Sequence, residues 1–500
     1  MNMKSNLLSN YAAQIYLIGV NYITLPYLFE SVGANTYGLI GLFATMQAWF
    51  SVFDLGMLPA LSRESNKYHA GAITALEFRQ IFRVLLGVFF VIGMIGSGLL
   101  LLNADTIALK WIKNSELSNS DLIEIIRIIS ICVGLRWFGG IYKSLFLGAE
   151  KLLYLNLYLI VIATLRFIGV FSAMNFWGYD AKIYFQYQLI VALIELFSIM
   201  ILSNLVLPKI KNNYQKIGWK IGKVIPVLSF ALTIAFTSAV WIIVTQLDKL
   251  ILSGILDIKE YGYLTIAIML SNSINMLAGP LSTIIMSRLS ALCAKNKDAE
   301  FIYFYRKSTK WMVLIAGTMG ILLSFYPESW IKAWMGNAEL SSQAIVAISL
   351  YSIGNAIISI GAFPYYMQYA KGNLKYHVRG NIVFAVLIVP TMIFASLRYG
   401  IVGAGMVWVL FNLLSLLFWQ NYIHEKFISG FHWDWIFNDI LKVLAPGLIT
   451  AAFIYFMHVD VVTKLENISK LIISGLLISS SMIIFDLDFR SDVRKFLRIC

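Results

Sequence analysis

Residues 81–102 read IFRVLLGVFFVIGMIGSGLLLL, an apolar run whose one charge, Arg83, lies near its start. A helix needs roughly 20 such residues to cross the ~30 Å hydrocarbon core of a bilayer. In hydrocarbon every backbone amide must be satisfied within its own segment or in a closed barrel, and barrel strands alternate apolar and polar residues over about 10 positions. This run does not alternate, so it reads as a membrane-spanning helix.

Working outward, comparable windows fall near 7–30, 37–61, 122–146, 152–174, 183–207, 224–247, 261–287, 310–331, 343–368, 380–397, 400–423, 440–458 and 468–486. Of the 500 residues 59% are hydrophobic and 13% charged, and the mean hydropathy is +0.76, values a water-facing surface does not sustain. The expected class is an all-α polytopic membrane protein of about 14 transmembrane helices. The net charge of +13 belongs to no soluble domain that could hold nucleic acid. Cys132, Cys293 and Cys500 are far apart, with neither zinc-ligand nor disulfide spacing. The first apolar stretch has no cleavage pattern and is expected to stay as an anchor.

Orientation follows from the basic residues. With a cytoplasmic N-terminus the inward loops collect about 27 of the 39 lysines and arginines, among them Lys4, Arg63, Lys67, Lys209, Lys211, Lys216, Lys220, Lys223, Arg494, Lys495 and Arg498, against about 9 outward. Both termini are then cytoplasmic. The two halves also share motifs in register. Tyr37-Gly38 recurs as Tyr261-Gly262, Ser62-Arg63 as Ser287-Arg288, and Gly148-Ala149-Glu150-Lys151 as Gly372-Asn373-Leu374-Lys375, at offsets of 224, 225 and 224. Duplication of a six-helix unit predicts two pseudo-symmetric lobes around a central cavity, 1–207 and 224–425, joined by a basic linker at 208–223. Residues 426–500 supply two further helices and a tail. Pro26, Pro59, Pro280, Pro364 and Pro390 are candidate hinges.

Ionisable groups inside spans cost roughly 2.5–3.5 kcal/mol at the centre and mark function. They are Asp54, Arg127, Arg136, Lys143, Arg166 and Glu195, all in the first half. At 1.5 Å per residue Arg136, Arg166 and Glu195 share a depth near the midplane, and Arg136 and Lys143 share a helix face. Arg127 lies toward the outer interface beside Glu124. The second half offers neutral groups at this depth, with Asn272, Asn275 and Asn355 the polar ligand candidates. A cavity with a cationic and a hydrogen-bonding side suits an anionic, hydroxyl-rich cargo, with Arg136, Arg166, Arg127 and Lys143 as anion binders. Against this stand a packing ion pair between Arg166 and Glu195, interhelical bonding by the asparagines, and Asp54 as a helix cap or partner of Arg63. Asp54, Glu195 and Asp248 are candidates for coupling to H⁺ or Na⁺.

Leu25-Pro26-Tyr27 through Gly33, Tyr37-Gly38-Leu39, Phe53-Asp54-Leu55-Gly56-Met57, Ser62-Arg63-Glu64 and Gln246-Leu247-Asp248-Lys249 together resemble polysaccharide transporters. These are the O-antigen flippases and their relatives in the multidrug/oligosaccharidyl-lipid/polysaccharide exporter superfamily. The resemblance covers the first twelve helices. It implies a V-shaped cavity and the flipping of undecaprenyl-pyrophosphate-linked oligosaccharide to the periplasmic leaflet of a bacterial inner membrane, in company with polysaccharide assembly proteins, and it carries over Asp54 and Asp248-Lys249. A drug/cation antiporter of the same superfamily would want an acidic cavity. A membrane polymerase or ligase would want a large outward loop bearing acid/base groups, and the longest, about 103–121, is short, with Asp105, Glu116 and Asp121 but no histidine. The expectation is a transporter, not an enzyme, without a cofactor.

Overall fold

A computed structural model describes the backbone of residues 3–113, 117–209, 217–219, 222, 225–336, 340–457, 463–486, 489–491 and 493, and their side chains except at 3–8, 226, 228–230, 233, 234 and 237. Glu116, Lys211, Lys216, Lys220, Lys223, Arg494, Lys495, Arg498, Cys500 and the side chain of Lys4 lie outside the described residues. Eleven helical stretches are long and apolar enough to cross a membrane, and the chain is a multi-pass, all-α membrane protein. Among the described residues the one strand-like pairing is an isolated parallel bridge between Lys113 and Asp257.

We number the helices α1 (Met3–Phe50), α2 (Met57–His69), α3 (Ala75–Leu102), α4 (Asn119–Gly148), α5 (Leu152–Trp177), α6 (Ala181–Ser203), α7 (Ile225–Ile255) and α8 (Ile258–Ala294). There follow α9 (Asp298–Phe325), α10 (Pro327–Met335), α11 (Ser342–Ala370), α12 (Lys375–Phe427), α13 (Phe431–Phe456) and α14 (Lys464–Ile484). Helix α1 turns at Gly33 (φ 74°, ψ 172°) and α12 at Gly400 (φ 58°, ψ −137°), backbone conformations that glycine alone adopts freely. The span expected over 37–61 stops early. A 3₁₀ turn at Ser51–Asp54 leads into left-handed Leu55 and Gly56, and α2 starts at Met57. Asp54 ends that turn with its carboxylate set near the backbone of Gly56, Met57 and Leu58 at the start of α2, and its Oδ1 is buried without a hydrogen-bond partner. Pro59 therefore falls in a first helical turn, and Pro364 begins the segment Phe363–Ala370. Both start helices, whereas Pro26, Pro280 and Pro390 lie within them.

Two compact units divide the chain at Gly262. In Met1–Gly262 the repeated Tyr-Gly motifs meet. A Cβ on Gly38 would lie 2.0 Å from the Ile258 carbonyl oxygen, and one on Gly262 would lie 2.3 Å from that of Ala34. Since 258 and 262 are 34 and 38 displaced by 224, each glycine touches the repeat equivalent of the other's partner. Helix ends add a second register. Left-handed Gly71 and Asn296, 225 apart, close equal Schellman turns (Ala72 N to Lys67 O, 2.9 Å; Lys297 N to Leu292 O, 3.2 Å). The third motif is out of step, because its left-handed residues are Glu150 and Gly372, 222 apart.

Within Tyr263–Cys500, α8 is laced to α11 by Ser352 to Ser271 (3.1 Å), Ser359 to Asn275 (2.9 Å) and Tyr366 to Ser282 (2.7 Å). The last two helices are built into this unit. Arg306 pairs with Asp434 (2.6 Å) and Asp439 (2.7 Å), Lys310 with Asp486 (2.7 Å), and Trp435 donates to Thr309 (2.8 Å). Asp439 and Asp486 are buried, as are His424 and His432, whose Nδ1 atoms lie 2.8 Å apart. These buried acids lie outside the depth at which the second half was expected to offer neutral groups. Its acids sit at the ends of apolar windows, where they read as loop residues.

Candidate functional site

The charged residues of the first unit gather on α4 and α6, and the register explains why. Arg136 and Lys143 are seven apart on α4, as Gln188 and Glu195 are on α6, so each pair recurs on one face at a separation of about 10 Å. Arg136 Nη2 donates to Gln188 Oε1 (2.7 Å) and Lys143 Nζ to Glu195 Oε1 (2.7 Å). Both contacts join residues 52 apart, which makes α4 and α6 parallel neighbours with two polar rungs. The Ser118 side chain accepts from Asp121 N (3.2 Å) and caps α4, while Tyr158 of α5 donates to the Glu195 carbonyl (2.8 Å).

Between the rungs the charges are unevenly matched. Arg136 Nε and Glu195 Oε2 are 3.6 Å apart, near enough for an ion pair but too long for a hydrogen bond. Nε and Nη1 of Arg136 and Oε2 of Glu195 are buried and without a hydrogen-bond partner. The Arg136 residue is 8% exposed and its guanidinium lies 4.8 Å from the centre of the Phe43 ring. A buried donor left unpaired costs about 1–3 kcal/mol, which sets these nitrogens apart from ordinary packing groups.

Arg166 stands on a widened, π-helical turn of α5, Thr164–Ile168. Such turns release backbone carbonyls, and α6 satisfies two of them: Tyr187 donates to Leu165 O (2.9 Å) and Gln188 Nε2 to Arg166 O (3.0 Å). Gln188 thus bonds to both arginines. Arg166 is half-buried and electrostatically coupled to Arg136 and Glu195, and among the described residues no carboxylate lies within ion-pair distance of it. The expected Arg166–Glu195 pair is therefore replaced by Lys143–Glu195–Arg136. Three cations surround one carboxylate.

The other candidates have surroundings of their own. Arg127, its side chain 55% exposed, pairs with Asp105 (3.0 Å), and its expected neighbour Glu124 pairs with Lys182 (2.5 Å). Asp54 ends the turn before α2. Asp248 is buried 3.6 Å from Lys249. Asn275 donates to Asn272 of the same helix (3.0 Å), while its acceptance from Ser359 and that of Asn355 from Trp408 (3.1 Å) are interhelical bonds. Sequence reasoning passed over Gln188. Its seven-residue spacing from Glu195 was the available signal, but a neutral glutamine in a helix draws no attention. Among the described residues no group of three or more potential metal ligands gathers.

Residues 3–290 match the family model described as polysaccharide biosynthesis protein. The chain belongs to that family. No curated protein matches it. Among solved structures this family member is similar to a lipid II flippase, MurJ, in an inward closed conformation, at 17% identity and a TM-score of 0.73, covering 98% of this chain and 99% of that one. It is also similar to an inward-facing multidrug resistance transporter of the MATE family (12% identity, TM-score 0.65, 84% and 96% covered). A third likeness is to a transporter of the MOP superfamily from Pyrococcus furiosus (13%, 0.54, 85% and 97%). The fold is that of the multidrug/oligosaccharidyl-lipid/polysaccharide exporter superfamily, whose matched members are transporters and not enzymes.

Proposed function

We propose that this family member is a flippase that carries undecaprenyl-pyrophosphate-linked oligosaccharide, an O-antigen or similar repeat unit, from the cytoplasmic to the periplasmic leaflet of a bacterial inner membrane. The observation that carries the reading is Arg136, a buried arginine with two nitrogens lacking an acceptor, together with Arg166, a second cation that among the described residues forms no ion pair of its own. A pyrophosphate crossing hydrocarbon must have its charge matched, and two guanidinium groups match phosphate oxygens well, while the prenyl tail stays in lipid. A cationic drug would meet three like charges against one carboxylate, which disfavours the antiporter reading. The likeness to a lipid II flippase fits a lipid-borne cargo.

The same reading takes fourteen spans. The eleven apolar stretches become thirteen when α1 and α12 are divided at Gly33 and Gly400, and the thirty-residue, charge-bearing α4 is the fourteenth. An even number puts both termini in the cytoplasm, as the basic loops require. Deletion of the gene should accumulate undecaprenyl-linked repeat units on the cytoplasmic face. Complementation with Arg136→Gln/Arg166→Gln should fail to restore surface polysaccharide. Full restoration by the double variant would remove the anion-binding role, and normal flipping in the deletion strain would remove the function itself.

A further inference from the structure

The cluster holds one residue whose charge opposes its cargo. Glu195 sits beside the arginine that the anion-binding reading assigns to phosphate, and its 3% exposure leaves it no solvent to turn toward. A carboxylate there weakens anion binding unless it does something else.

We propose that Glu195 is a resident counter-ion: it occupies the anion seat of Arg136 while the site is empty, yields it to the incoming oxyanion of the cargo, and reclaims it to release the cargo. The inference rests on the anion-binding reading and specifies how that same site is regulated. Three features of the geometry point to it. The two contacts of the carboxylate are unequal: Oε1 is bonded to Lys143 at 2.7 Å, whereas Oε2 faces Arg136 Nε at 3.6 Å without a hydrogen bond. Lys143 therefore anchors the carboxylate, and the Arg136 contact is the one that can open.

Arg136 is also prepared for a replacement. Gln188 fixes Nη2 at 2.7 Å and Phe43 covers one face of the guanidinium, which leaves Nε and Nη1 oriented and unbonded. The charge count also favours the exchange. With the seat closed, Arg136, Lys143 and Arg166 have only the carboxylate of Glu195 among them, an excess of two positive charges. With a pyrophosphate diester bound, one charge per phosphate can be set against Arg136 and Arg166, and Glu195 keeps Lys143. Arg136 keeps an anion beside it throughout the exchange, and the incoming charge cancels an existing excess, which keeps the barrier to exchange low in a medium where an uncompensated charge is expensive. A purely structural ion triad would have no reason to leave the Arg136 contact unbonded.

The test uses the purified full chain in zwitterionic nanodiscs, so that no anionic lipid competes, and measures binding of inorganic pyrophosphate and, in parallel, glucuronate by calorimetry. Glu195→Gln should bind whichever anion the wild type binds about tenfold more tightly, equivalent to about 1.4 kcal/mol. It should nevertheless export less polysaccharide, because release loses its competitor. Glu195→Asp, shorter by one methylene, keeps a charge for Lys143 but withdraws from Arg136 and should bind with intermediate affinity. It carries the test if the glutamine variant does not fold. Unchanged or weaker binding by a folded Glu195 variant overturns the counter-ion role and leaves the anion site standing. Undiminished binding by Arg136→Gln, or no binding of either anion by the wild type, overturns the anion site itself.

Discussion

The crossing of α1 and α8 gives the sharpest test of the duplicated architecture. Replacing Gly38 by alanine would place a methyl 2.0 Å from the Ile258 carbonyl oxygen, and Gly262→Ala would place one 2.3 Å from the Ala34 oxygen. Both obstacles are backbone, so no rotamer change relieves them, and the helices must part by more than 1 Å to reach van der Waals distance. Overpacking of this kind costs about 1–3 kcal/mol. Because the two sites are pseudo-equivalent ends of a single contact, the first alanine makes part of the room the second needs. The double variant should therefore lose less than the sum of the singles, with a coupling of roughly 0.5 kcal/mol or more. Gly19 of α1, where a Cβ would meet nothing within 4 Å, is the control, and Gly19→Ala should be neutral or slightly stabilising. Unfolding of the purified chain in mixed micelles, followed by tryptophan fluorescence, reads all four. If Gly38→Ala tracks Gly19→Ala, or if the two crossing variants are strictly additive, the shared close contact is not what the glycines are for.

Two further substitutions probe the polar interior of each unit. Gln188→Leu removes the one protein acceptor of Arg136 and the donor to Arg166 O. The charged bond is worth about 1.5–3 kcal/mol and the neutral one about 1, so both the unfolding temperature and pyrophosphate affinity should fall; retention of both would show that Gln188 positions neither arginine. Arg306→Gln leaves buried Asp439 without its cation, a loss of about 3 kcal/mol, near the lower bound for a buried pair because the Arg306 side chain is 33% exposed. An unchanged thermal midpoint would mean that the ion pair does not fasten α13 to α9.

What the sequence made legible follows from the physics of each feature. Apolar runs of spanning length are nearly unambiguous, so the helical class and most windows agree with the structure. The end of the second window was hidden, since Phe53, Leu55, Met57 and Leu58 keep the run apolar through the turn at left-handed Leu55 and Gly56. Tyr-Gly was a dependable repeat marker because backbone contact forbids a side chain at that glycine. The Gly148 and Gly372 motifs misled by two residues, because exposed turns tolerate insertions without structural cost. Depth along a helix located Arg136, Arg166 and Glu195 together but could not say which cation faces the carboxylate. That depends on the relative register of α4 and α6, set by packing along both helices.

The placement of Arg166 ties these observations to transport. Two arginines in a low-dielectric interior repel, and a fold selected for stability alone would separate them or give each a carboxylate. Here Gln188 accepts from the guanidinium of one and donates to the backbone of the other, and the π-turn that frees the second carbonyl is what lets a single side chain reach both. The like charges are thus held at adjacent positions by a neutral residue, with a single carboxylate shared between Arg136 and Lys143. Uncompensated positive charge maintained at structural expense implies that something negative completes it part of the time. A permanent anion would have been supplied by the chain as a second acid, and on the flippase reading proposed above the missing charge is that of a cargo that arrives and leaves.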